Sequence, residues 1–81
     1  MIVYYYTFRS MTAAMSAAGK LKKKGFAAAP TRTPEGLRKQ GCGYCIPIPE
    51  ASFSGLRAVL LPGDYEKLYG YSKGEWKEVI P

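Results

Sequence analysis

The chain has 81 residues with a net charge of +6, two cysteines and no histidine. This length supports one small core that buries about 60% of the unfolded surface, so we expect a single domain over residues 1–81. The lack of histidine excludes Ser-His-Asp and Cys-His catalytic groups and most catalytic zinc sites. No apolar run reaches the ~20 residues of a membrane span, and no basic start marks a secretory signal, so we expect a cytoplasmic protein.

The positive charge is concentrated in the first half of the chain. Residues 1–49 contain eight basic side chains and one acid, whereas residues 50–81 contain four basic side chains and five acids. Such a field attracts anions and favours a thiolate over a thiol. It is equally typical of a nucleic-acid surface, so the charge alone leaves both interpretations open.

The first half of the chain predicts a strand, a helix and a second strand. Residues 2–8 are apolar, β-branched or aromatic on both faces, which predicts a central strand. Ser10 is a suitable N-cap for a helix over Met11–Lys24, and Gly25 is a suitable stop. The predicted buried stripe of this helix consists of Met11, Ala14, Met15, Ala18 and Leu21. Phe26–Arg32 follows at once, and its position predicts a strand that returns beside the first.

Prolines and glycines mark the elements of the second half. Thr33–Gln40 predicts a short helix or turn. Tyr44–Ile48 predicts an edge strand, or one paired on one side only, because prolines interrupt it. Residues 50–63 have loose helical spacing, and residues 65–80 predict a hairpin around a Ser-Lys-Gly turn. The order β-α-β-β-α-β with a C-terminal hairpin predicts an α+β fold, a ferredoxin-like sandwich with helices over one face.

Both cysteines lie within residues 41–45, and glycines flank the first of them. These glycines leave Cys42 sterically open, and successive amides in such a turn can form an anion-binding nest. Strand alternation directs Cys45 away from the core face. We therefore predict that Cys42 is the reactive thiolate. Cys45 would either form a disulfide with Cys42 or share its reactive role. The predicted thiolate-stabilising residues are Arg32, Arg38, Lys39, Gly41 and Gly43.

Three other interpretations of the cysteines stay open. The Cys-x-x-Cys spacing is typical of thiol-disulfide oxidoreductases, but that motif opens a helix, which the proline-rich residues 46–49 cannot do. Two cysteines supply half of a structural zinc site, so metal binding would require a dimer. A cysteine in an apolar strand commonly acts as a small hydrophobic side chain, and the glycines around Cys42 are also typical of a tight turn.

The chain resembles a small bacterial family of selenium/sulfur carrier-like proteins over residues 3–62. The matching residues are Phe8-Arg9-Ser10, Met11–Lys24, Gly25-Phe26, Thr33-Pro34, Leu37 and Cys42-Gly43. The resemblance implies a carrier or adaptor rather than a complete enzyme, which holds a sulfur or selenium atom on Cys42 as a persulfide or selenenylsulfide. It implies donor and acceptor proteins as partners, without a resident cofactor or metal.

The alternative prediction is a small basic module that binds nucleic acid or protein, in which both cysteines are structural. The lysines at the end of the first helix would contact phosphates, and Tyr5 and Tyr44 would stack on bases. Neither an RNP-like aromatic motif nor a GxxG clamp is present in the sequence. If the aromatic face of the hairpin is exposed, it would favour a homodimer or another protein partner.

Overall fold

In the part of the chain that the structure describes, a five-stranded antiparallel sheet has two helices packed on one face. The computed structural model describes residues 2–34, 36 and 43–79. The elements of this part of the chain are β1 (Val3–Phe8), α1 (Met11–Lys23), β2 (Thr31–Arg32), β3 (Tyr44–Pro49), α2 (Glu50–Leu56), β4 (Lys67–Ser72) and β5 (Glu75–Glu78). The strands lie in the order β2-β3-β1-β4-β5. The α+β class is confirmed, and the ferredoxin-like arrangement stays a prediction because β2 contains only two residues.

β1 lies at the centre of the sheet, as predicted. It pairs with β3 along its whole length and with β4 over Val3–Thr7. Tyr4, Tyr6 and Phe8 point to the face that packs against the helices, which we call the helix-covered face. The opposite face, which we call the second face, receives the side chains of Val3, Tyr5 and Thr7.

α1 begins and ends at the predicted signals. The Ser10 hydroxyl accepts a hydrogen bond from the Ala13 N–H at 3.2 Å, which caps the first turn. At the other end Gly25 has a φ of 88°, and the Phe26 N–H donates to the Leu21 carbonyl at 3.0 Å. This is the hydrogen bond of a Schellman motif, which requires a residue in the left-handed region.

The predicted buried stripe of α1 is wrong in part. Ala14, Ala17 and Leu21 are buried, whereas Met11 is 41% exposed and Met15 is 61% exposed. The helix packs through its small residues, because alanines let the helix backbone approach the sheet closely. The buried stripe therefore runs through Ala14, Ala17 and Leu21, and the two methionines lie on its flank.

The second predicted strand is wrong in length and in partner. Only Thr31–Arg32 of the predicted Phe26–Arg32 is a strand, and it pairs with β3 rather than β1. The preceding alanine run has low strand propensity, and Pro30 lacks the N–H that a ladder needs. The more apolar β3 takes the place beside β1, and Phe26 packs against the core instead.

β3 accommodates its two prolines without losing hydrogen bonds to β1. The Gly43 carbonyl points toward β2, where it accepts a hydrogen bond from Thr33. Because N–H and C=O groups of alternate residues point to the same side, Pro47 and Pro49 also direct their nitrogens to the outer side. Within the described residues, β2 pairs with β3 only at Tyr44 and Cys45. The prediction of an edge strand is wrong, because β3 lies between β2 and β1, and pairing on one side only holds for its proline-containing part within the described residues.

α2 packs on the sheet, and the β4–β5 hairpin forms one side of it. Phe53 of α2 stacks on Tyr4, with ring centroids 3.5 Å apart and an interplanar angle of 6°. The predicted hairpin is confirmed: Lys73 (φ 52°) and Gly74 (φ 78°) form its two-residue turn, as expected for type I′. None of the described helices is long and apolar enough to cross a membrane.

Candidate functional site

The predicted site residues fall into two groups. The structure does not describe Arg38, Lys39, Gly41 and Cys42, and most of the predicted short helix over Thr33–Gln40 also lies outside the described residues. Within the described residues are Arg32, Gly43 and Cys45. The candidate site is therefore described through β2 and β3, which flank residues 37–42 in the sequence, and through the second face of the sheet.

A hydrogen bond at the end of the sheet joins the two chain segments that flank residues 34–42. The Thr33 N–H donates to the Gly43 carbonyl at 3.2 Å, which extends the β2–β3 pairing by one step. Thr33 is itself buried. Cys42 precedes Gly43 in the sequence, so the predicted reactive cysteine is one residue from this fixed point.

Cys45 occupies a fully buried position on the second face. Its exposed fraction is 0%, and its register partner on β1, Thr7, is also fully buried. The Cys45 Sγ donates to the Arg32 carbonyl at 3.8 Å, a contact between neighbouring strands. The predicted orientation away from Ile46 and Ile48 is thus consistent with the register. Its burial prevents a donor protein from reaching the sulfur in the native fold.

Arg32 contributes its backbone rather than its side chain to the surroundings of Cys45. Its register partner is Tyr44, so its side chain lies on the face opposite Cys45, where it is exposed. Whether its guanidinium stabilises a thiolate at Cys42 stays a prediction. Gly43 is exposed, and a Cβ added there would meet nothing within 4 Å, so the chain beside Cys42 is open at this residue.

Three aromatic side chains form a continuous row across the second face, which we call the aromatic row: Tyr5, Tyr71 and Trp76. The Trp76 ring centroid lies 5.0 Å from that of Tyr5 and 4.4 Å from that of Tyr71. Burial raises the pKa of Tyr5, and the neighbouring Cys45 and Tyr71 raise it further. Tyr5 therefore has the indole and the buried cysteine among its neighbours, and the row spans β1, β4 and β5.

Gly36 packs directly on this row. A Cβ built on Gly36 would lie 2.5 Å from the Trp76 Nε1, which is closer than real Cβ contacts allow, and 3.3 Å from its Cδ1. Glycine is therefore required at this position as long as the indole stays where it is. Gly36 is not among the predicted site residues, and its position as a glycine within a predicted short helix was the available signal.

The two tyrosines of the predicted base-stacking surface do not lie together. Tyr44 pairs with Phe8 and packs partly buried against the core, on the helix-covered face. Tyr5 lies on the second face and presents its ring to Trp76. Because the sheet separates the two rings, they cannot form one platform for successive bases.

Two basic side chains, one on α1 and one just before it, pair with acids of the loop before β4. The Lys20 ammonium lies 2.9 Å from the Asp64 carboxylate, and the Arg9 guanidinium lies 3.3 Å from Glu66. The hydrogen bond from Lys20 lowers the pKa of Asp64, helped by a second bond from the Leu61 N–H. The remaining lysines at the end of α1 are exposed, where the negative end of the helix dipole favours them.

Burial predicts slow alkylation of Cys45 in the folded protein. In a Cys42→Ser variant, Cys45 is the only thiol, and iodoacetamide can reach it only when β3 opens. We expect its alkylation in the folded state to be slower than in concentrated urea by a factor of about 100 or more. Equal rates in the two states would show that Cys45 is accessible and would contradict the burial. Mass spectrometry of quenched samples measures both rates.

Comparison with known proteins gave one family. The family model described as "Putative Se/S carrier protein-like" matches residues 3–69, which include both cysteines, β1 to β3 and the start of β4. This match confirms the resemblance noted in the sequence and extends it to residue 69. Searches of curated proteins and of solved structures found no match.

Proposed function

The chain belongs to the Se/S carrier protein-like family, and we propose that it carries a sulfur or selenium atom on Cys42, as a persulfide or a selenenylsulfide. In this function it accepts the atom from a donor protein and passes it to an acceptor protein. It acts as an adaptor in a relay, in the cytoplasm, rather than as a complete enzyme.

The observation that supports Cys42 as the carrier is the burial of the other cysteine. The chain has two cysteines, and a carrier needs a thiolate that donor and acceptor can both reach. Cys45 is 0% exposed in the native fold. Cys42 lies within the matched residues and next to the exposed Gly43, so it is the better candidate for the transferred atom.

The loading step needs no external oxidant. The Cys42 thiolate attacks the terminal sulfur of a donor persulfide, R–S–S–H, and the donor S–S bond breaks. The donor leaves as the thiolate R–S⁻, and Cys42 holds the atom as Cys42–S–S–H. With a terminal selenium atom, R–S–Se–H, the same displacement gives Cys42–S–Se–H. Basic residues near Cys42 favour this step because they stabilise its thiolate.

Two routes can unload the carrier. An acceptor thiolate can attack the terminal atom, which reverses the loading step on a new protein. Alternatively, the Cys45 thiolate can attack the sulfur of Cys42, which forms a Cys42–Cys45 disulfide and releases HS⁻ or HSe⁻. The second route requires the Cys45 Sγ to leave its buried position and its contact with Arg32. Burial of Cys45 therefore favours transfer of the intact atom to an acceptor.

Intact mass spectrometry tests the proposed carrier chemistry. The protein is incubated anaerobically with glutathione persulfide, or with the corresponding selenium compound, and excess donor is removed. We expect the native chain and a Cys45→Ala variant to gain one sulfur or selenium atom. A Cys42→Ser variant should gain none, because its remaining thiol is buried.

Absence of any mass gain in the native chain would refute the carrier function. Gain in Cys42→Ser but not in Cys45→Ala would refute the assignment to Cys42. In either case the alternative, a basic binding module with structural cysteines, is tested next. Retention on immobilised nucleic acid that falls steeply with salt would support it.

A further inference from the structure

The two edges of the sheet differ in what they offer to another strand. Within the described residues, β2 forms one edge with only two residues, and β5 (Glu75–Glu78) forms the other. An edge strand presents N–H and C=O groups that can pair with a further chain. We propose that β5 pairs with β5 of a second copy of this chain, antiparallel and about a two-fold axis at Trp76. This interface is independent of the proposed carrier function.

The backbone of β5 directs hydrogen-bonding groups to the outer side of the sheet at every second residue. The Val79 N–H donates to the Leu68 carbonyl on β4 at 2.8 Å, so Val79 points its backbone groups toward β4. Since the direction alternates along a strand, Lys77 also points its groups toward β4, whereas Trp76 and Glu78 point theirs outward. No described strand pairs with β5 on that outer side. Trp76 and Glu78 therefore each offer one donor and one acceptor to an incoming strand.

The charged side chains on the helix-covered side of β5 have no charged neighbour on β4. Glu75 lies opposite Ser72, and Lys77 lies opposite Gly70. Both charged side chains are exposed, and neither forms an ion pair with another of the residues that the structure describes. Because the two are separated by one residue, they point to the same face of the sheet. A strand added beside β5 can therefore supply the missing opposite charges.

A second copy of β5 supplies those charges in one register. With the axis at Trp76, each Glu75 lies opposite Lys77 of the other copy, and the two Trp76 residues exchange backbone hydrogen bonds. An axis at residue 75, 77 or 78 would instead place two identical charges opposite each other, which is unfavourable. The charge pattern is thus self-complementary about Trp76 and disfavours the neighbouring registers. A symmetric interface of this kind uses the same surface on both copies.

The same register brings the two indoles together on the second face. Trp76 is half-buried, and its ring centroid lies 5.0 Å from that of Tyr5 and 4.4 Å from that of Tyr71. Directly opposite residues of paired strands have Cβ atoms about 4.5–5.5 Å apart, so the two Trp76 rings would be neighbours. The aromatic row would then continue from one copy into the other, beside the ion pairs on the opposite face.

The expected dimer is weak, because one four-residue strand gives a contact smaller than the ~1,200 Å² of stable complexes. We expect a dissociation constant between about 10 µM and 1 mM. Sedimentation equilibrium under reducing conditions measures it, since reduction removes disulfide-linked dimers. The apparent mass should rise from the 8.9 kDa of one chain toward twice that value as the concentration increases. A mass that stays at that of one chain up to about 1 mM would overturn the proposal.

Charge reversal tests the register. Glu75→Lys and Lys77→Glu should each raise the dissociation constant about tenfold or more, because each places like charges opposite one another twice. An equimolar mixture of these two variants should associate like the native chain, as should the double variant with both changes. Lys22→Glu on α1 changes the net charge by the same amount as Lys77→Glu and should have no such effect. Self-association that none of the β5 changes weakens would contradict the interface.

Amide hydrogen exchange locates the contact independently of charge. The Trp76 N–H points outward and should exchange several times more slowly at about 1 mM than at 0.05 mM, because the dimer protects it. Lys77 is the internal control, since its N–H points toward β4 at either concentration. Exchange at Trp76 that does not change with concentration, in a chain that does associate, would show that the copies meet elsewhere and would overturn the assignment to β5.

Discussion

Leu21→Ala is expected to lower the free energy of unfolding by about 3 kcal/mol. Leu21 is fully buried between α1 and the sheet, and its carbonyl accepts the hydrogen bond that ends the helix. Truncation removes buried apolar surface and leaves a cavity that the neighbouring alanines are too small to fill. An 81-residue domain has only about 4–12 kcal/mol of total stability, so this loss is a large fraction of it.

Met15→Ala is the matched control on the same helix. Met15 is 61% exposed, and alanine has the higher helix propensity, so we expect a change within about 0.5 kcal/mol. Urea unfolding monitored by circular dichroism measures both variants. Equal losses for the two substitutions would contradict the position of α1, because the amphipathic spacing alone places both residues on the buried stripe.

A loss of stability between pH 10 and pH 12 is the second large effect, and it comes from Tyr6. Burial raises the pKa of Tyr6 from 10.0 to about 12, and the neighbouring Tyr65 adds to the shift while Arg57 opposes it. Above pH 10 the unfolded chain releases this proton and the folded chain retains it. The stabilising contribution is therefore complete below pH 10 and is lost as the pH rises toward 12. Two pKa units correspond to a loss of about 3 kcal/mol.

Tyr6→Phe isolates this contribution from the other tyrosines and lysines that titrate in the same range. The difference in unfolding free energy between the native chain and the variant should be constant up to about pH 10. Above that pH, the unfolding free energy of the native chain should fall relative to that of the variant by about 1.4 kcal/mol per pH unit. A difference that does not vary with pH would show that Tyr6 ionises equally in both states. Urea unfolding at several pH values provides the test.

The elements that the sequence predicts correctly are those whose signals are local. The hydroxyl of Ser10 and the left-handed φ of Gly25 determine where α1 starts and stops, and both effects act within one turn. Lys73 and Gly74 form the turn of the hairpin for the same kind of reason. The central position of β1 also follows from its own residues, because both of its faces are apolar.

The errors arise where the outcome depends on residues far apart in the chain. Strand propensity does not reveal that β2 pairs with β3, because the choice of neighbour depends on which strand has more apolar surface to bury. Helical spacing places Met15 and Leu21 on one stripe, and only the position of the sheet separates them. The burial of Cys45 and the contact between Gly36 and Trp76 likewise depend on register across strands. Alternation along a strand predicts on which face of the sheet a side chain lies, but not which residues cover that face.

The prolines of β3 have a consequence for how copies of this protein behave toward one another. A strand with free N–H and C=O groups along one side is a template for intermolecular sheet extension, the first step of β-aggregation. Pro47 and Pro49 direct their nitrogens to that side, so the outer side of β3 offers carbonyl acceptors without the matching donors where β2 has ended. Within the residues that the structure describes, the proline-containing part of β3 has no paired strand on that side, and its missing N–H donors disfavour pairing with a strand of another copy.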